Sequence, residues 1–145
     1  MKRTTRTASV AIALLAVAGL SVPSTATAVG RPLTAQLLGA NELGGGDPDG
    51  AGTAHVWVTP GLDEICYDLT VTGLADVTLA HIHVGAATEN GPVVVPLQAP
   101  TSGSSGGCVS VNRDLAVAIV SQPSAYYVNV HTLEFPGGAV RGQLS

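Results

Sequence analysis

The chain has 145 residues, 10 acidic and 6 basic, for a formal net charge of −4, and only 11% of its residues are charged. The acidic balance excludes a nucleic-acid or anionic-membrane partner held by charge, and a hydrophobic content of 46% excludes a disordered chain. Abundant Val, Gly and Thr with almost no Lys suits a compact β domain with many turns.

At the N-terminus, Lys2, Arg3 and Arg6 form a basic stretch, Ala8 to Leu20 an apolar run of 13 residues, and Ala26-Thr27-Ala28 an A-x-A cleavage site. This is the layout of a secretory signal peptide, and its apolar run falls short of the roughly 20 residues a membrane-spanning helix needs. Cleavage after Ala28 is expected to release residues 29–145, one secreted, extracellular domain of 117 residues with no membrane span. The released chain keeps three basic residues against ten acidic ones, a net of −7. Cys66 and Cys108 are its only cysteines, and in an oxidising compartment a single disulfide is expected between them. The alternative, two free thiols as metal ligands, runs against that compartment, and neither cysteine sits in a CxxC redox motif.

In chain order, Leu33 to Leu38 reads as a first strand, and Gly44 to Gly50 as a loop. Glu42, Asp47 and Asp49 do not match the twelve-residue calcium loop, and Asp47-Pro48-Asp49-Gly50 is ordinary turn chemistry. Thr53 to Thr59 forms a second strand, with Ala54, Val56 and Val58 on one face and His55 and Trp57 on the other. After the turn at Pro60 to Asp63, Ile65, Tyr67, Leu69 and Val71 alternate with polar residues in a third strand, which pairs with the second as a hairpin.

Val77 to Val84 is the next strand, and its alternation puts His81 and His83 on one face and Ile82 on the other. Val93 to Leu97 follows the turn at Asn90-Gly91-Pro92, and Pro100 to Gly107 reads as a Ser/Gly loop before a strand from Cys108 to Val111. Asn112 or Asp114 caps a short helix, near residues 114–121, that Pro123 ends. Tyr126 to Thr132 carries His131, Phe135 to Gly138 suits a type II turn with Gly137 at its third position, and Ala139 to Leu144 is the last strand. The fold class expected is all-β: a single antiparallel Greek-key β-sandwich or barrel with one short helix.

Four segments together resemble the CHRD domain, the module named after chordin: Ala80-His81-Ile82-His83-Val84-Gly85, Asn90-Gly91-Pro92-Val93-Val94, Tyr127-Val128-Asn129-Val130-His131-Thr132 and Pro136 to Leu144. The resemblance spans about Leu33 to Leu144 and implies an extracellular β domain. In animal chordin, repeated copies belong to a secreted antagonist of bone morphogenetic proteins; this chain is similar instead to the single-copy bacterial members. The resemblance therefore implies a binding or structural module outside the cell, with an extracellular protein or cell-surface ligand as partner. A fainter likeness is to copper–zinc superoxide dismutase, in which His81, His83, His131 and Arg141 fall in the order of that family's copper ligands and functional arginine. This chain has no following loop rich in His and Asp, and its cysteines stand elsewhere. The second class of function is accordingly a copper-binding redox protein of that layout.

Three imidazoles, His81, His83 and His131, are the candidate metal ligands, because imidazole suits copper or zinc and three ligands leave one position open. The plainer alternative has each ring bonded to a loop carbonyl or carboxylate, fixing the sheet. Arg141 is a candidate for anion steering or, structurally, for an ion pair with Glu134 or another carboxylate across the final hairpin, a weak contact if exposed. No catalytic residue is assigned: there is no G-x-S-x-G elbow, and no nucleophile–base or acid pair stands in the motif-bearing strands, so a binding role is favoured over an enzyme. Tyr126, Tyr127, Trp57 and Phe135 are candidates for an aromatic patch, with one of the adjacent tyrosines expected at the surface.

Overall fold

A computed structural model describes residues 30–145; the expected leader, residues 1–28, lies outside the described residues. Among the described residues eight strands form: β1 (Arg31–Leu38), β2 (Ala51–Thr59), β3 (Glu64–Thr72), β4 (Val77–Val84), β5 (Val93–Leu97), β6 (Ser104–Ser110), β7 (Tyr126–Thr132) and β8 (Val140–Gln143), with one α-helix, α1 (Arg113–Ser121). They make one antiparallel sheet in the order β5-β4-β7-β8-β1-β2-β3-β6, curled nearly into a barrel. The seam lies between the edge strands β5 and β6, where Gln98 N–H donates to the Tyr67 hydroxyl at 2.8 Å and Ser105 Oγ donates to the Gln98 carbonyl at 2.7 Å. Consecutive β3 and β4 lie on opposite sides of that seam, so their connection supplies the expected Greek-key crossing.

Period-two alternation builds the core as the sequence predicts. Leu33, Ala35 and Leu37, then Ala54, Val56 and Val58, then Ile65, Leu69 and Val71 all face inward, joined by Ala80, Ile82, Val95, Val128, Val130 and Val140. Helix α1 packs its buried Ala116 and Ile119 against this core. Its cap is Asn112, whose side chain accepts the Asp114 N–H at 2.7 Å, and Pro123 follows its end.

Two local expectations change. Ser104 to Gly107, read as loop, belong to β6, which pairs with β3 from Thr70↔Ser104 to Glu64↔Ser110. No apolar alternation announces this strand because most of its side chains are exposed; the β3 backbone and the disulfide hold it instead. The turn at Phe135 to Gly138 closes with Gly138 N–H donating to the Phe135 carbonyl at 3.1 Å. Gly138, not Gly137, takes the positive φ, 139°, so the turn is not type II. A Cβ on Gly138 would stand 2.5 Å from Glu42 Oε1, so this glycine also permits a close approach of side chains.

The disulfide is present as expected. Cys66 and Cys108 are directly opposite in the β3–β6 register, with Cα atoms 3.9 Å apart. Among the described residues, no helix is long and apolar enough to cross a membrane.

Candidate functional site

The face of β4, β7 and β8 turned away from the core is polar, yet it is not open to water. Register pairs set its residues side by side: His81↔Asn129, His83↔Tyr127, Asn129↔Arg141 and Tyr127↔Gln143. Every residue of β7 is buried on either face, because the connections after β1, β4 and β7 fold back over the outer one. Both tyrosines are therefore buried, contrary to the expectation of one at the surface: Tyr126 belongs to the core, and Tyr127 lies under the connection after β4. Trp57 instead pairs with His55 on β2, at 6.2 Å between ring centroids, so the four aromatics form no common patch.

Arg141 sits at the centre of this covered face and is only 1% exposed. Its guanidinium donates to Asn90 Oδ1 at 3.0 Å, to the Glu89 carbonyl at 3.0 Å and to the Ala86 carbonyl at 3.3 Å. It also lies 3.7 Å over the Tyr127 ring, whose hydroxyl accepts the Gly91 N–H at 3.2 Å. These neutral partners stand in place of the ion pair with Glu134 or another carboxylate expected from the sequence: alternation in β8 turns Arg141 beneath the connection, where backbone carbonyls meet its fork of donors. The nearby acidic group is Glu42, which burial pushes up to about 7 against the opposing pull of Arg141 and of a hydrogen bond donated by Asn129 Nδ2. Gln143 Nε2 donates to the carbonyls of Ser124 at 2.7 Å and Gly85 at 3.0 Å.

Asn90, Asn129 and Gln143 join this site although the sequence assigns them no role, and Glu42, which the sequence offers only as a calcium ligand, joins it too. The N-G-P and V-N-V motifs contained two of them, but spacing alone gives no sign that Asn90 meets Arg141 across 51 residues. Asp47 behaves as the turn reading predicts, its Oδ1 accepting the Asp49 N–H at 3.0 Å.

The three imidazoles do converge. The nearest ligating nitrogens of His81, His83 and His131 all lie within 4.8 Å of one another. His81 Nδ1 and His131 Nε2 are 3.3 Å apart, and the ring centroids of His81 are 5.6 Å from His83 and 5.2 Å from His131. His83 stacks on Tyr127 at 4.8 Å with planes 8° apart, so Arg141, Tyr127 and His83 form one pile. Each buried ring also bonds a loop carbonyl: His83 Nδ1 to Gly91 and His131 Nδ1 to Pro136, both at 2.9 Å. Burial lowers the pKa of His81, with His131 and His83 adding to the shift. Burial also lowers that of His83; the Gly91 bond opposes this, while His131 and Arg141 add to it. Near neutral pH both rings are thus neutral, the state in which imidazole offers a lone pair.

A nearly closed antiparallel barrel with a loop-covered polar face outside its sheet defines the class of protein. The CHRD domain family matches residues 33–144, and the chain belongs to that family. No curated protein and no solved structure matches the chain. The likeness to copper–zinc superoxide dismutase gains no support from these comparisons.

Proposed function

We propose that this CHRD-domain protein is exported and works outside the cell as a binding module. The observation that carries the reading is the covered polar face: Asn129 and Arg141 are 2% and 1% exposed, on the side of the sheet that a plain scaffold leaves to water. Arg141, bonded to Asn90 and to the carbonyls of Glu89 and Ala86, gives that face a defined shape, and the face bears residues of the motifs that resemble the family's. The disulfide that ties the largely exposed edge strand β6 to β3 suits an oxidising compartment. An extracellular protein or cell-surface ligand is the partner this reading calls for.

Expression of the full chain in a secreting bacterial host tests the reading. Intact mass of the secreted protein should correspond to residues 29–145 less two hydrogens for the disulfide. Retention of the uncleaved chain in the cytoplasm with both thiols reactive would overturn it.

A further inference from the structure

We propose that His81 Nδ1, His83 Nε2 and His131 Nε2 bind one first-row transition-metal ion, zinc or copper, leaving a fourth coordination position open. This goes beyond the binding-module reading and holds whether or not the chain is exported. The carbonyls of Gly91 and Pro136 each lie 2.9 Å from a ring Nδ1, of His83 and His131 respectively. A carbonyl oxygen only accepts, so the Nδ1 atoms of His83 and His131 both carry hydrogen, and in the neutral form of either ring Nε2 is the nitrogen that offers a lone pair. Such carbonyl bonds are the usual outer support of a metal-bound imidazole, because they fix its tautomer and its plane.

His83 Nε2 is buried and has no hydrogen-bond partner among the described residues. A buried acceptor without a partner is rare and asks for an explanation, which a bound cation supplies. His131 Nε2 faces His81 Nδ1 at 3.3 Å. Two nitrogens bound to one tetrahedral ion, each at 2.0–2.1 Å from it, stand about 3.3 Å apart, so this pair already has a chelating separation. One ligating nitrogen from each ring lies within 4.8 Å of the other two, so a shift of at most about 1.5 Å brings the set to that separation. Without metal, His81 donates its Nδ1 hydrogen to His131; with metal, that hydrogen moves to Nε2. His81 is the least buried of the three and marks the side by which an ion and its fourth ligand enter.

The donor set decides the class of ion. Imidazole nitrogens suit zinc and copper, whereas calcium and magnesium require oxygen ligands. Were the rings only fixtures of the sheet, the two carbonyl bonds and the His81–His131 bond would account for them, and the buried His83 Nε2 would still lack a partner.

The full chain, made without a polyhistidine tag and stripped with chelator, tests the site. Zinc or copper at micromolar concentration should bind at one ion per chain and raise the melting temperature, as any ligand selective for the folded state does, while calcium should not. With zinc, nitrogen NMR should show shifts at Nε2 of His83 and His131 and at Nδ1 of His81. His81→Ala, truncating the ring nearest solvent, should fold and lose more than about 100-fold in affinity. His83→Gln should do the same, and His55→Ala, on β2, should bind like the parent. The site is refuted if neither metal moves the melting temperature or those resonances. It is equally refuted if folded His81→Ala/His83→Gln binds as tightly as the parent chain.

Discussion

Glu42 shows how burial alone can reverse the usual pH behaviour of a carboxylate. Its folded-state pKa stands at about 7, above the ordinary 4.5, because desolvation outweighs Arg141 and Asn129. A raised carboxyl favours the protonated form in the fold, so its contribution is most favourable below 4.5 and is lost as pH rises from there through about 7. Glu42→Gln, which keeps an acceptor for Asn129, should therefore raise stability at pH 8 relative to the parent. For a partly solvated group about 1 kcal/mol is a fair upper figure, or roughly 4 °C in melting temperature. The difference should shrink towards pH 4.5; a constant or growing difference on acidification would contradict this account. His81 and His83 have the opposite sign. Their pKa values lie below 6.5, so their neutral rings favour the fold above 6.5, and that contribution is lost as pH falls below it.

Among the elements, β6 depends most on a covalent link. Its burial pattern is largely exposed, it lies at one edge of the sheet, and it pairs with β3 alone. The bridge joins residues 42 apart in sequence, a loop closure worth about 4 kcal/mol on the chain-entropy account. Replacing both cysteines by serine should lower the melting temperature and speed amide exchange at Ser104 to Ser110, leaving β1, β2 and the core side of β3 protected. Uniform loss of protection across the sheet would show instead that β6 is part of the cooperative core. Legibility differs in the same way. Strands β4, β5 and β7 begin and end where the sequence pattern predicts, because each carries Val, Ile or Tyr in regular alternation or in a short apolar run. Ser104 to Gly107 carries no such signal, since its strand geometry comes from backbone pairing to a neighbour distant in the chain.

Across the whole molecule, Arg141 joins parts of the chain that are far apart. It reaches from β8 to the connection after β4 and stacks on Tyr127 of β7, whose other side meets His83. Arg141→Met should leave Asn90 Oδ1 and the Glu89 carbonyl without their charged donor, a loss of about 3 kcal/mol by urea unfolding. Arg141→Lys should recover less than half of it, because an ammonium cannot present the planar fork or the stacked face. A loss below about 1 kcal/mol for the methionine variant would mean that the connection is held by other contacts.

The all-β class, the helix, the pairing of the cysteines and the membership of the CHRD family were all within reach of the sequence, because each rests on local chemistry: period-two alternation, an Asn cap, two cysteines, and four short motifs. That His81 and His83 share a face also follows from strand geometry alone. Whether His131 meets them depends on β4 pairing with β7 across a separation of some fifty residues, and only the closed arrangement of the sheet decides that. The burial of Arg141, the tyrosine beneath it and the raised carboxyl of Glu42 were decided there too. A strand's pattern tells which residues share a side, but not whether a distant loop will return to cover it.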